Sequence, residues 1–328
     1  MNTQSRRDFL IKASILPFCA ALGTGLVTRV TAVADELAKK PAATGPLKVS
    51  VNAYSFSKML NDNIKHRGPG ITLIQALEFS AKCKSDGFDA TGYFMPNYPA
   101  RPTDAYVKEL KTRAADLGVG ISGTGVRNNF TTADKAVRAQ GVQHIKEFVE
   151  VAAQLGAPVV RVFSDTQMKS KTWHDVAPGA TYEEVQSWIA ENLRECADHA
   201  KKYGVRIGVQ NHGDFLQTGE QQLALMKAVN SDACGPIVDT GYYKTKDPYA
   251  DIALVAPHSV NWQIKQSPFG EDSEIPTDLV KIVRIVRESG YHGYLPIETL
   301  SPAGKPYDPF TVVPAFLQQL REAIVKTA

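Results

Sequence analysis

Apolar residues recur along this chain with two alternating periods. Every-second-residue spacing, which puts successive side chains on opposite faces of a strand, runs through 48–54, 88–94, 118–124, 158–163, 205–211, 235–239, 259–265 and 293–298. Between these runs, apolar positions three and four apart predict helices over 73–84, 104–117, 133–155, 182–203, 220–230, 249–256, 276–289 and 309–326. Glycine repeatedly closes a helix and opens a strand, as at Gly118, Gly156 and Gly204, because a left-handed helix end admits a residue without Cβ. Eight strands, each followed by a helix, predict an α/β fold: a single-domain (β/α)₈ barrel. An open doubly wound sheet is the alternative, and the missing G-x-G-x-x-G after the first strand weakens it.

The late strands share one design. In 205–211, Val205, Ile207 and Val209 point one way and Arg206, Gly208 and Gln210 the other, and the strand ends in Asn211-His212-Gly213-Asp214. Ile237-Val238-Asp239 ends in a carboxylate. Asn261, Gln263 and Lys265 share one face of their strand, and Leu295-Pro296-Ile297-Glu298 sets Glu298 opposite its apolar residues. In a closed barrel, Gln210, Asp239, Gln263 and Glu298 converge on one mouth. The longest loops, 55–72, 94–103, 125–132, 164–181 and 267–275, rise from that same end. They carry Phe94, Tyr98, Phe130, Trp173 and Phe269, and aromatic rings with a few polar groups suit the apolar face of a sugar. Packing of the loops on one another explains those rings equally well.

The N-terminus changes the reading of charge and address. Ser5-Arg6-Arg7-Asp8-Phe9-Leu10-Ile11-Lys12, an apolar run to Val27 and the small-x-small triplet Ala32-Val33-Ala34 form a twin-arginine export pattern. This divides the chain into a signal peptide at 1–34, a linker at 35–46 and the barrel at 47–328. It predicts a periplasmic protein with no stable membrane insertion after processing. The signal carries four cations and one acid, so its removal takes away the whole formal charge of +3. A neutral mature chain gives no electrostatic case for nucleic acid. Cys83, Cys196 and Cys234 form neither a disulfide framework nor a zinc pattern. The histidines other than His212 show no ligand spacing, and the oligomeric state, a homo-oligomer included, is left open.

On Gln210-Asn211-His212-Gly213, Asp239-Thr240-Gly241, Gln263-Ile264-Lys265 and Pro296-Ile297-Glu298, the chain resembles the xylose-isomerase-like barrels of the sugar phosphate isomerase/epimerase and endonuclease IV superfamily. The resemblance implies a divalent metal held by residues at the ends of strands five to eight. There the family pattern is Glu, Asp, His and Glu, and the two Glu shuttle a proton in epimerisation. This sequence keeps Asp239 and Glu298 but has Gln210 and Gln263 at the other two positions. With Gln210, Asp239, Gln263 and Glu298 as ligands, an all-oxygen set favours Mn²⁺ or Mg²⁺.

An amide cannot take up a proton at neutral pH, so Gln210 is no general base. Glu298 remains as the base beside a substrate carbonyl, with the metal or Lys265 stabilising the enolate and His212 as second acid or base. Lys265 otherwise pairs with Glu298 or Asp239. Asn211, Arg161, Phe94 and Trp173 are the expected substrate contacts, and Arg161 has Asp165 as an alternative partner. The expected activity is that of an exported sugar isomerase or epimerase, with a small carbohydrate or keto-sugar as substrate. Two alternatives share the site: a keto-glycoside lyase or hydratase working by β-elimination, and a non-catalytic carbohydrate-binding barrel. An abasic-site nuclease is disfavoured, because it needs a His-rich zinc cluster and a basic groove.

Overall fold

A computed structural model of the chain describes residues 46–301 and 306–328. The signal expected at 1–34 and, but for residue 46, the linker expected at 35–46 lie outside the described residues. Within them, parallel strands close in chain order: β1 (Lys48–Asn52), β2 (Gly87–Asp89), β3 (Gly120–Gly125), β4 (Val159–Phe163), β5 (Arg206–Gln210), β6 (Cys234–Asp239), β7 (Asn261–Lys265) and β8 (Tyr294–Glu298). β8 pairs back on β1, with Val51 beside Ile297. The single (β/α)₈ barrel that the periodicity predicts is the fold.

The helices are α1 (Ser57–Ile64), α2 (Leu73–Lys82), α3 (Asp104–Asp116), α4 (Lys135–Leu155), α5 (Trp173–Val176), α6 (Tyr182–Lys202), α7 (Gly219–Val229), α8 (Pro248–Val255), α9 (Leu279–Glu288) and α10 (Pro309–Lys326). Thr or Asp stands before most of them, and its side chain accepts from an otherwise unpaired N–H of the first turn. Thr72, Thr181 and Thr218 do so within reciprocal capping boxes with Gln75, Glu184 and Gln221. The outward residues Val160, Val162, Ile207, Val209, Val238, Trp262, Ile264, Leu295 and Ile297 are buried beneath the helices. Each large apolar side chain enclosed there contributes roughly 1.5–3 kcal/mol.

The barrel is a cup, filled at its foot and open at the strand ends. Val159, Ile237 and Val260 form their own small apolar cluster. Gly208 makes room for it, since a Cβ there would lie 2.6 Å from Ile237 Cδ1 and 2.7 Å from Val159 Cγ1. Beside it, the Ser50 and Ser122 hydroxyls meet at 2.6 Å and Asn261 Nδ2 donates to the Ser122 carbonyl at 3.2 Å.

Two expectations about elements need correction. β2 stops at Asp89 rather than running to Phe94, because Gly92–Phe94 coils into a short 3₁₀ turn with the Tyr93 and Phe94 rings packed 4.8 Å apart. The segment 55–72, expected as a loop, contains α1, which buries Leu60 alone. One apolar contact in two turns leaves no helical period to read.

Candidate active site

Strand register assembles the centre of the cup. Asp239 of β6 sits beside Gln263 of β7, and Lys265 of β7 sits beside Glu298 of β8. Paired residues on one face of neighbouring strands are held about 5 Å apart. The inward face of each strand end therefore delivers its side chain to the same small volume. Gln210, Asp239, Gln263, Lys265 and Glu298 meet there, and none is more than 5% exposed.

Their hydrogen bonds form a closed set. Lys265 Nζ is ion-paired with Glu298 Oε1 and lies 3.3 Å from Asp239 Oδ2, bridging the two carboxylates. Gln210 Nε2 donates to Asp239 Oδ2 at 2.5 Å, and Gln210 Oε1 accepts from Arg161 Nη1 at 3.3 Å. The Gln263 amide has two orientations. In one, its oxygen accepts from Gln210 Nε2 at 2.8 Å. In the other, its nitrogen donates to Asp239 Oδ2 at 3.2 Å and Glu298 Oε2 at 3.3 Å and its oxygen accepts from Asn52 Nδ2 at 3.1 Å, but that nitrogen then lies 2.8 Å from Gln210 Nε2, so Gln210 would have to turn with it. Burial pushes the Asp239 carboxyl above its usual range, against the pull of Lys265 and with the help of Glu298. Burial alone would lower the Lys265 ammonium, but Asp239 and Glu298 overcome it and hold it above its usual value.

A second layer closes the far wall. Arg161 lies buried, donates from Nη2 to the Tyr93 hydroxyl at 3.1 Å and packs over the Phe163 ring at 4.2 Å. Asp89, at the end of β2, is also buried, and desolvation, opposed by Arg161 and reinforced by Glu298, pushes its carboxyl up to about 6. Arg161 does not pair with Asp165, the partner offered by the sequence.

Asp165 instead holds His212, with Asp165 Oδ2 2.5 Å from Nδ1. The imidazole lies between the Phe163 and Tyr242 rings at 4.9 and 4.1 Å. With the carboxylate accepting from Nδ1–H, Nε2 is the nitrogen left to exchange a proton. Gly213 permits this approach: φ is +73° there, and a Cβ would collide with the Asp165 carboxylate. His212, Asp165, Arg161, Gln210, Gln263, Lys265 and Glu298 line one cleft of about 690 Å³, with Tyr54, Tyr93, Tyr242 and Arg127 around them. A volume of this size suits a monosaccharide or a small glycoside.

Three expected substrate contacts are elsewhere. Asn211 is a strand clamp: its Nδ2 donates to the Asp239 carbonyl at 3.0 Å and its Oδ1 accepts from the Asp239 amide at 2.8 Å. Both ends of its amide are used, so none faces a ligand. Phe94 is buried behind the wall, against Tyr93 and Tyr54. Trp173 packs its loop onto Phe215 at 5.7 Å, and its backbone N–H donates to Asp214 Oδ2 at 2.7 Å. Asp165, Tyr93 and Tyr242 line the cleft and Asp89 lies buried at the end of β2, four residues that were not among the expected site residues. Asp89 had a usable signal, a carboxylate closing a short apolar strand just as Asp239 does.

A divalent ion does not fit this donor set. An ammonium already lies between the two carboxylates, and Gln210 turns its nitrogen, not its oxygen, toward Asp239. Among the described residues, no group of three or more His, Cys, Asp or Glu side chains is placed to hold a metal.

Comparison with known proteins agrees with the fold. Residues 80–320 match the family model described as xylose isomerase-like TIM barrel. The L-ribulose 3-epimerase of Mesorhizobium japonicum is 28% identical over 166 residues, 48% of this chain and 53% of that protein. The chain thus spans about half the length of this curated relative. A 3-keto-D-glucoside 4-epimerase from E. coli superposes with a TM-score of 0.65 at 13% identity, over 84% of this chain and 99% of that one. A xylose isomerase-like barrel from Mycobacterium smegmatis, solved in complex with magnesium, gives 0.63 at 20% identity, over 88% and 99%.

Proposed function

The chain belongs to the xylose isomerase-like TIM barrel family, and on that premise we propose that it is a carbohydrate isomerase or epimerase that moves a proton next to a sugar carbonyl. The observation that carries this reading is a carboxylate and an oriented imidazole, Glu298 and His212, lining one cleft beside a buried ammonium. Its relatives' names, an L-ribulose 3-epimerase and a 3-keto-D-glucoside 4-epimerase, support a keto-sugar or oxidised glycoside as substrate class.

Glu298 removes the proton from the carbon beside the carbonyl. The C–H electron pair becomes the enolate C=C bond, and negative charge passes to the enolate oxygen. His212 Nε2 gives or takes the second proton, on a neighbouring oxygen or on the opposite face of the carbon. Gln210 orients Asp239 and takes no proton. No step is assigned to a metal.

Because the position of Gln210 bears no carboxylate, the same site supports β-elimination from a keto-glycoside, with His212 protonating the leaving oxygen. Incubation with keto-pentoses, keto-hexoses and 3-keto-glucosides in D₂O separates these outcomes. Deuterium at the carbon next to the carbonyl in an epimer or isomer supports the first, and an unsaturated product supports the second. Sugar binding with neither exchange nor product would mark a non-catalytic binding barrel.

Export belongs to the same proposal, supported by the Arg6-Arg7 pattern and the small-residue triplet ending at Ala34. Replacing both arginines by lysine should leave the protein in the cytoplasmic fraction.

A further inference from the structure

One of the two amides around Asp239 and Glu298, that of Gln210, faces the wrong way to be a ligand. Gln210 presents its nitrogen to Asp239, and that polarity is locked from behind, where Arg161 Nη1 donates to Gln210 Oε1. Turning the amide would set its nitrogen against the guanidinium and its oxygen against a carboxylate. With Gln210 so placed, the Gln263 oxygen accepts from Gln210 Nε2 at 2.8 Å and is already engaged. The positive charge at the centre of the two acids is already supplied by the Lys265 ammonium.

That charge is built in rather than incidental. The Lys265 backbone N–H donates to Thr240 Oγ1 at 2.9 Å, fixing the end of β7. Gly241 leaves space for the side-chain stem, since a Cβ there would lie 2.7 Å from Lys265 Cγ. The Tyr242 ring covers Nζ at 5.4 Å. Removal of the ammonium would leave two enclosed carboxylates without the cation that contacts both.

We propose that Lys265 is the resident cation of this barrel: its ammonium takes the place between Asp239 and Glu298 that a divalent ion would occupy, and it polarises the substrate carbonyl without metal. The inference rests on the proton-transfer reading above. When Glu298 accepts the substrate proton, its carboxylate loses its charge as the enolate oxygen gains one. The ammonium moves its hydrogen bond from one oxygen to the other, and the charge count of the cleft stays constant.

The test needs no known substrate. The full chain is titrated with Mn²⁺ and the free ion followed by electron paramagnetic resonance, for the parent and for the triple variant Lys265→Ala, Gln210→Glu, Gln263→His. The parent should leave Mn²⁺ free through the micromolar range, and the triple variant should bind one ion per chain. Stoichiometric micromolar binding by the parent would overturn the proposal, whatever the variant does. Should the triple variant not fold, Lys265→Met serves as second probe, assayed at a temperature where its circular dichroism matches that of the parent. Once a substrate is found, its turnover should fall at least 1000-fold and not recover with Mn²⁺, whereas recovery would sink the idea. Failure to exchange deuterium into any keto-sugar strikes the proton-transfer reading instead and leaves the titration valid.

Discussion

The floor of the cleft and its side wall solve the problem of buried charge in opposite ways. On the floor, Asp239, Glu298 and Lys265 are almost fully enclosed and answer one another through contacts that leave no spare partner. On the wall, His212 keeps a quarter of its side chain open (26%), and Asp165 steers one of its nitrogens while the other faces the cleft. The floor is thus an enclosed, charge-paired set that is costly to alter, with Glu298 as its one proton-accepting member. The wall is where the second proton is handed between substrate and solvent. A site doing proton transfer needs both, because a preorganised charge acts only when a mobile proton is available beside it.

Several substitutions test this division, taken from the largest expected effect to the smallest. Glu298→Gln removes the base while keeping the shape and the Lys265 contact. Turnover should fall by about 10³–10⁴, with the binding constant for a sugar changed by only a few-fold, since general-base catalysis contributes on that order. An equal loss of binding would place Glu298 in recognition instead. Lys265→Met strands two buried carboxylates and should destabilise the fold by about 3–5 kcal/mol. Adding Glu298→Gln to it should return part of that loss in urea unfolding, and additivity of the two would show that the pair is not coupled.

On the wall, Asp165→Asn should lower turnover about 10- to 100-fold, less than the whole contribution of a general acid–base because the imidazole stays in place. The unfolding midpoint should move little. The pH dependence of turnover should change shape as well, which a purely structural role of Asp165 would not produce.

The smallest effect concerns Asp89. Its carboxyl is raised in the folded state to about 6 from 3.8, so the folded chain holds the proton more tightly than the unfolded one. Its contribution to stability is complete below about pH 4 and is lost as pH rises through 6. Asp89→Asn escapes that loss. The melting temperature of the variant relative to the parent should improve between pH 4.5 and 7.5, by the equivalent of about 2 kcal/mol. A gap that stays constant with pH would show that Asp89 is ionised throughout.

Much of this was legible in the sequence, for a definite reason. Alternation along 205–211, 235–239, 259–265 and 293–298 fixes which side chains face inward, and closure of the barrel then brings Gln210, Asp239, Gln263, Lys265 and Glu298 together without any knowledge of the loops. What alternation does not encode is direction at the end of a side chain. Gln210 could be read as a possible ligand from its identity, but only Arg161 behind it decides that its nitrogen points in. Asn211 shows the same limit: a polar residue after a strand end looks like a substrate contact until both ends of its amide are found on the neighbouring backbone. Phe94 and Trp173 were misplaced because turns after strands take their course from tertiary packing, which local pattern does not carry.

Gly213 ties the orientation of the imidazole to a single backbone position. Any side chain there displaces the carboxylate that aims the imidazole, so the proton relay can be mistuned without altering one group that handles a proton. A mutational survey confined to charged and polar residues would pass over this control point, whereas a simple Gly213→Ala exchange would reach it.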